Sequence, residues 1–202
     1  TVVGKARPEN IVYRNGAKEN DLICVSGSLG AAYAGLLILQ REQKTFLANP
    51  NFQPDLQGYE YVIERQLKPE SRFDILDKLR AAGITPTSMM DISDGLSSEL
   101  HHICKQSGTG CSIYEDKIPI DIETGTVADE FSLTDITLAL HGGEDYELLF
   151  TVPLTEYEKL KDREDISVIG HITSQSEGLN MISKAGQAIS LKAQGWDSFK
   201  SE

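Results

Sequence analysis

The sequence predicts an α/β (α+β) fold in which a mixed β-sheet carries helices packed on one face. Three observations predict it. Helix-like and strand-like stretches alternate along the whole chain. After the strand-like stretch 87–92, Leu96, Leu100, Ile103 and Cys104 fall at i, i+4, i+7 and i+8, a single apolar stripe on one side of a helix. Tyr146–Val152 is a mostly apolar strand entered through Gly142-Gly143.

The elements follow in order. Residues 3–13 and 21–26 read as extended, with the turn-forming pair Asn15-Gly16 between them. Leu29–Gln40 is apolar almost all round, the pattern of a buried helix. The stretch 45–58 contains Asn49-Pro50-Asn51, Pro54 and Gly58, which marks a surface loop. Helices are predicted over 59–67 and 73–82, separated by Lys68-Pro69 and closed by Gly83. The striped helix ends at Gly108 and Gly110, and 111–116 returns as a strand. A helix near 134–141 precedes the strand 146–152. A polar helix (155–163), a strand (166–172) and an antiparallel pair (179–183 and 188–192) complete the pattern. The last stretch, Gly195-Trp196-Asp197-Ser198-Phe199, puts the single tryptophan in a polar tail, where an aromatic pair calls for a partner surface.

Composition narrows the function. With 202 residues, 40% hydrophobic and 25% charged, the chain has the make-up of a soluble globular protein. Nineteen basic against 31 acidic residues give a net charge of −12. Phosphate-backbone recognition needs a basic surface, so nucleic acid is not an expected partner, and anionic membranes are disfavoured for the same reason. The longest apolar run, Leu29–Leu39, is too short to cross a bilayer. Cys24, Cys104 and Cys111 are too few for a disulfide framework and read as buried thiols in a reducing cytoplasm. His101, His102, His141 and His171 show no metal spacing.

Four segments could carry chemistry. In Met90-Asp91-Ile92-Ser93-Asp94-Gly95-Leu96, strand alternation points Asp91 and Ser93 the same way, and Asp94 falls at a helix N-cap position. Two carboxylates, a hydroxyl and free N–H groups at one helix start can hold phosphate and Mg²⁺. A helix cap beside a surface aspartate is the alternative. Gly142-Gly143-Glu144-Asp145-Tyr146-Glu147 presents three acids in four residues after two glycines. A helix C-terminus explains the glycines but not the acids, which oppose the helix dipole there. Ser26-Gly27-Ser28-Leu29-Gly30 is a glycine-rich strand-to-helix turn that matches neither common phosphate-loop pattern, and a Ser28 cap on a tightly packed helix fits it as well. Arg14, beside the Asn15-Gly16 turn, could clamp a phosphate or lie at the surface. No Ser-His-Asp or Cys-His arrangement can be assembled by spacing.

Taken together, R-N-G-A-K, S-G-S-L-G-A-A-Y-A-G-L, M-D-I-S-D-G-L-S-S-E-L-H-H-I, G-G-E-D-Y-E-L-L-F-T-V and the terminal G-W-D-S-F resemble the thiamine-monophosphate kinase family. That family belongs to a superfamily with aminoimidazole ribonucleotide synthetase and selenophosphate synthetase. The resemblance implies the C-terminal domain fold of that superfamily and transfer of the ATP γ-phosphoryl to thiamine monophosphate, with Mg²⁺. Position by position, it implies Asp91 and Asp94 as Mg²⁺ ligands and Arg14 and Ser93 as ATP contacts. It further implies Glu144 and Trp196 as contacts to thiamine monophosphate. Glu99 stands where the family's helix usually carries Asp, and Ala17-Lys18-Glu19-Asn20-Asp21 replaces a Pro-Gly turn. The family also has an additional N-terminal domain. Residues 1–13 are therefore expected to be that domain's last strand, and 14–202 the C-terminal ATP- and substrate-binding domain, inactive alone. A homodimer is expected of the full-length enzyme. A sibling synthetase of the superfamily and a non-catalytic binding scaffold are the alternatives.

Overall fold

The computed structural model describes residues 3–51 and 53–192. Its sheet has seven strands: β1 (Leu22–Ser26), β2 (Ser88–Asp91), β3 (Gly110–Tyr114), β4 (Leu148–Val152), β5 (Ile166–Thr173), β6 (Leu179–Ile182) and β7 (Ala188–Ser190). They lie in the order β2-β4-β1-β5-β3-β6-β7. All neighbours pair antiparallel except β3 with β6, so the sheet is mixed. The expected pair at the end of the chain is β6–β7, with Met181 opposite Ile189.

The helices are α1 (Ala31–Ala48), α2 (Glu60–Leu67), α3 (Phe73–Ala81), α4 (Leu96–Ser107), α5 (Ile122–Glu130), α6 (Asp135–His141) and α7 (Tyr157–Leu160). The α4 stripe does what its spacing predicts. Leu96, Leu100, Ile103 and Cys104 pack with Ile23, Val25, Leu149 and Ile169 of the sheet. Burial of each such aliphatic side chain contributes roughly 1.5–3 kcal/mol. The opposite face of the same strands is also covered. Leu22, Cys24 and Phe150 meet Ile75 and Leu79 of α3 and Leu160 of α7. The one-face arrangement therefore describes the larger layer, and α3 and α7 add a second, smaller one. Central strand β1 is buried at all five positions because it is apolar on both sides. A third cluster, Ala31, Ala34 and Ile38 against Val62, Val127 and Leu138, joins α1 to α2, α5 and α6.

Several bounds differ from expectation. Helix α1 runs eight residues beyond Gln40, through Arg41–Ala48, because straight-chain residues and Ala sustain a helix on an exposed face without apolar periodicity. Helix α5 was not foreseen. It starts at an Asp121 cap that accepts the Glu123 N–H at 2.9 Å, and Gly125 in its middle weakened the signal. The polar helix expected over 155–163 shrinks to a 3₁₀ turn, Leu154–Glu156, followed by the single turn of α7. Residues 3–13 form no ladder: they carry a 3₁₀ turn at Pro8–Asn10, and the Tyr13 carbonyl accepts one bond, from Met89 N–H at 3.1 Å. All three cysteines are free and buried.

Candidate functional site

Antiparallel pairing decides where the motifs meet. Asp91, the last residue of β2, lies opposite Leu148, the first of β4, and Val25 near the end of β1 lies opposite Leu149. The loops after β2, before β4 and after β1 therefore emerge at one end of the sheet. The first two are laced by three backbone bonds: Glu144 N–H to Ser93 O (2.8 Å), Tyr146 N–H to Ile92 O (2.9 Å) and Ile92 N–H to Glu147 O (2.8 Å). They approach so closely that two positions require glycine. Gly143 has φ +70°, and a Cβ on it would collide with the Ser93 carbonyl. Gly95 has φ +106°, and its Cβ would lie 2.7 Å from Leu140 O.

The two loops present Asp91, Asp94 and Glu144, all exposed, around one phenol. The Tyr146 hydroxyl donates to Glu144 Oε2 at 3.0 Å. Its pKa is raised first by that hydrogen bond, then by burial and by the charges of Glu144, Asp91 and Asp94. Arg14 and Asp91 line one cleft together with Asn15 and Gln106. A second cleft lies on the other flank of Asp91, lined by Pro69, Ser71, Arg72, Tyr146 and Leu148. Glu144 and Tyr146 themselves hold φ of +61° and +52°, costly for residues with side chains and found where the surroundings over-determine the backbone.

The surroundings do so through the other two acids of the segment. Asp145 is buried and accepts the N–H groups of Gly30 (2.7 Å) and Ala32 (3.2 Å) at the start of α1. Burial pushes its pKa up to about 6, against the opposing pull of those two bonds. Glu147, also buried, pairs with Arg65 (2.9 Å) and Arg72 and accepts from the Ser26 hydroxyl, which in turn accepts the Leu148 N–H at 2.8 Å. The acid density of the segment thus resolves into two scaffold carboxylates and one exposed one. The glycine-rich turn after β1 is structural too. Gly27 wraps the Glu147–Arg72 pair, and Ser28 meets the Tyr61 hydroxyl at 2.7 Å instead of capping α1.

Two readings of the Asp91–Leu96 segment change. The N-cap of α4 is Gly95, not Asp94, whose side chain is exposed. Two N–H groups of the turn that leads into α4 are also occupied: Asp94 N–H (2.9 Å) and Ser93 N–H (3.3 Å) donate to Glu99 Oε1, with the Ser93 hydroxyl at 3.4 Å. Glu99 is 1% exposed and its other oxygen has no partner. Burial raises its pKa, opposed by those N–H groups. The negative end of a buried carboxylate at a helix start is favourable, and here it fixes the Ser93-Asp94 turn from inside.

Among the described residues no three His, Cys, Asp or Glu side chains converge into a complete metal site. Asp91 and Asp94 are two hard oxygen donors, which is what Mg²⁺ takes from protein when phosphates and water complete its shell. Trp196 lies outside the described residues. No helix among them is long and apolar enough to cross a membrane.

Known proteins agree with this architecture. A thiamine-monophosphate kinase of Buchnera aphidicola subsp. Schizaphis graminum is 36% identical over 205 residues, spanning 98% of this chain and 59% of that protein. The Aquifex aeolicus thiamine-monophosphate kinase is 30% identical, spanning 95% and 56%. The chain therefore covers little over half the length of the curated relatives it matches. Among solved structures, AaThiL complexed with AMPPCP and TMP superposes with a TM-score of 0.75 at 30% identity, over 93% of this chain and 54% of that one. Escherichia coli HypE, at 18% identity and a TM-score of 0.68 over 94% and 54%, shares the fold. Residues 18–181 match the AIR synthase related protein, C-terminal domain, and to that family this chain belongs.

Proposed function

We propose that this chain is the C-terminal part of an ATP-dependent kinase that converts thiamine monophosphate to thiamine diphosphate. The observation that carries the reading is the gathering of Asp91, Asp94 and Glu144 around Tyr146 at one end of the sheet, with Arg14 sharing a cleft with Asp91. It is supported by relatives of that name and by a similar structure holding AMPPCP and TMP.

In this reading the chemistry is transfer of a phosphoryl group between two anions. A phosphate oxygen of thiamine monophosphate attacks the γ-phosphorus of ATP in line. The new P–O bond forms as the bond to the β-phosphate oxygen breaks and ADP leaves. The attacking oxygen is already anionic at neutral pH, so no general base is required, and catalysis consists of positioning and charge neutralisation. Arg14 supplies a fixed positive charge to the ATP phosphates, and the Ser93 hydroxyl contacts the nucleotide. Asp91 and Asp94 would hold Mg²⁺, whose charge offsets the repulsion between the phosphate groups. Glu144 and Trp196 bind the acceptor. Residues 1–13 end a preceding domain that completes the site, and the full-length enzyme is a cytoplasmic homodimer acting on small molecules.

The test is an acceptor screen on the full-length parent. ATP consumption that depends on thiamine monophosphate, with thiamine diphosphate as product, supports the kinase. ATP consumption driven by selenide or by a ribonucleotide acceptor instead moves the protein to a sibling reaction.

A further inference from the structure

Three carboxylates are buried at this end of the sheet, and they are not answered alike. Glu147 pairs with two arginines, and Asp145 takes two helix N–H groups and feels the charge of Arg65. Glu99, in the first turn of α4 and 1% exposed, makes no ion pair among the described residues. Its Oε1 accepts only from neutral donors, the N–H groups of Asp94 and Ser93 and the Ser93 hydroxyl, and its Oε2 has no partner. Burying a charge in this way costs stability, and a neutral acceptor of the same shape would hold the turn at lower cost. The charge therefore serves something other than the fold.

The contacts of Glu99 say what it serves. The Ser93-Asp94 turn is gripped from two sides. Glu144 N–H and Tyr146 N–H hold the carbonyls of Ser93 and Ile92 at 2.8 and 2.9 Å, and Glu99 holds the two amides. The backbone that carries the exposed Asp94 carboxylate is thereby fixed. Glu99 Oε1 also lies 2.9 Å from the Asp94 amide nitrogen, so two like charges sit on adjoining groups, an arrangement that a bound cation relieves.

We infer that Glu99 is a positioning residue for a divalent cation held by Asp94: it fixes the turn that presents Asp94, and its uncompensated charge strengthens the cation's binding. The inference rests on the assignment of Asp94 to Mg²⁺ in the kinase reading and adds a buried second carboxylate behind it.

The experiment follows binding of Mn²⁺, a paramagnetic substitute for Mg²⁺, to the full-length parent by electron paramagnetic resonance. Glu99→Gln keeps the size and one acceptor oxygen and removes the charge. At the Mn²⁺ site that Asp94→Asn weakens, it is expected to lower affinity by about ten-fold, the scale usual for groups that hold a metal ligand from behind. The KM for thiamine monophosphate should stay within about two-fold of wild type. The urea midpoint of Glu99→Gln should equal or exceed that of wild type, the opposite of what loss of a structural cap gives. Glu99→Asp, which keeps the charge, should bind Mn²⁺ within about three-fold of wild type. In an Asp94→Asn background, Glu99→Gln should have no further effect on Mn²⁺, because it acts through Asp94. Unchanged Mn²⁺ affinity in Glu99→Gln, an equal loss in Glu99→Asp, or a full loss retained in the Asp94→Asn background overturns the inference and leaves the kinase standing. If Asp94→Asn itself leaves Mn²⁺ binding intact, the metal assignment fails and the inference with it.

Discussion

Replacement of Glu147 by Ala is the most discriminating perturbation of this fold. The carboxylate is 1% exposed and answers three donors: Arg65 at 2.9 Å, Arg72, and the Ser26 hydroxyl. Removing it leaves two largely buried guanidinium groups facing each other across a void. Arg72 retains Asp74 at 3.1 Å, and Arg65 retains only the Asp145 carbonyl at 3.2 Å and a weak contact to Ser28 O. Breaking a buried pair from one side costs about 3–5 kcal/mol, because the surviving charge is stranded. That is a large share of a total stability of about 5–15 kcal/mol. Glu147→Gln keeps shape and one acceptor and should cost less, about 2–3 kcal/mol. Urea unfolding followed by circular dichroism measures both, and a double-mutant cycle with Arg72→Met should give a coupling of at least about 1 kcal/mol. A loss below about 1 kcal/mol for Glu147→Ala, or additive effects in the cycle, would refute the claim that this network organises the end of the sheet.

Gly143→Ala should destabilise by about 2–3 kcal/mol, combining a left-handed backbone with displacement of the Ser93 carbonyl. Gly125→Ala in α5, where a Cβ meets nothing within 4 Å, should instead stabilise by about 0.5–1 kcal/mol, and the same urea titration reads both signs. Asp145 ionises near pH 6 when folded against 3.8 ordinarily, so its contribution to stability is full below about pH 4 and is lost as pH rises through 6. The stability difference between wild type and Asp145→Asn should therefore shift by up to about 3 kcal/mol between pH 4 and 7, and a constant difference would show that Asp145 titrates normally. Asp94→Asn in the full-length parent should lower turnover by about a hundred-fold or more, with stability changed by less than about 0.5 kcal/mol because the side chain is exposed. Near-normal turnover would remove Asp94 from the metal site.

What the sequence made legible was whatever depends on short-range pattern. The α4 stripe, the apolar strands and the two glycine-bearing motifs all appear where periodicity and turn residues put them. Long-range partners were invisible. Glu99 escaped because a capping box looks three residues past the N-cap, whereas Gly95 caps α4 and Glu99 sits four residues later. Asp145 escaped because its partners are 113 and 115 residues away. A signal was nevertheless present. Helix α1 begins Ala-Ala-Tyr after Ser-Leu-Gly, with no acidic residue in its first turn and no side-chain cap. Its open N–H groups needed an acceptor from elsewhere, and Gly143–Glu147 carried more carboxylates than a helix end tolerates. The shortage at one segment and the surplus at the other are complementary.

That complementarity also accounts for how an exposed acid is held in place. Along 144–147 the side chains alternate between solvent and interior: Glu144 is exposed and Tyr146 lines a cleft, whereas Asp145 and Glu147 are buried. Asp145 ties the segment to α1 and Glu147 ties it to α2 and the start of α3, so the backbone between them has little freedom to relax its positive φ at Glu144 and Tyr146. Strain at the presenting residues is sustained by ionic and hydrogen bonds at the alternate ones. The consequence is testable within the Glu147 series. If the buried acids hold Glu144 and Tyr146 in place, a Glu147→Gln parent that still folds should lose affinity for the acceptor before it loses affinity for ATP. Arg14, on the far flank of Asp91, belongs to no part of that network.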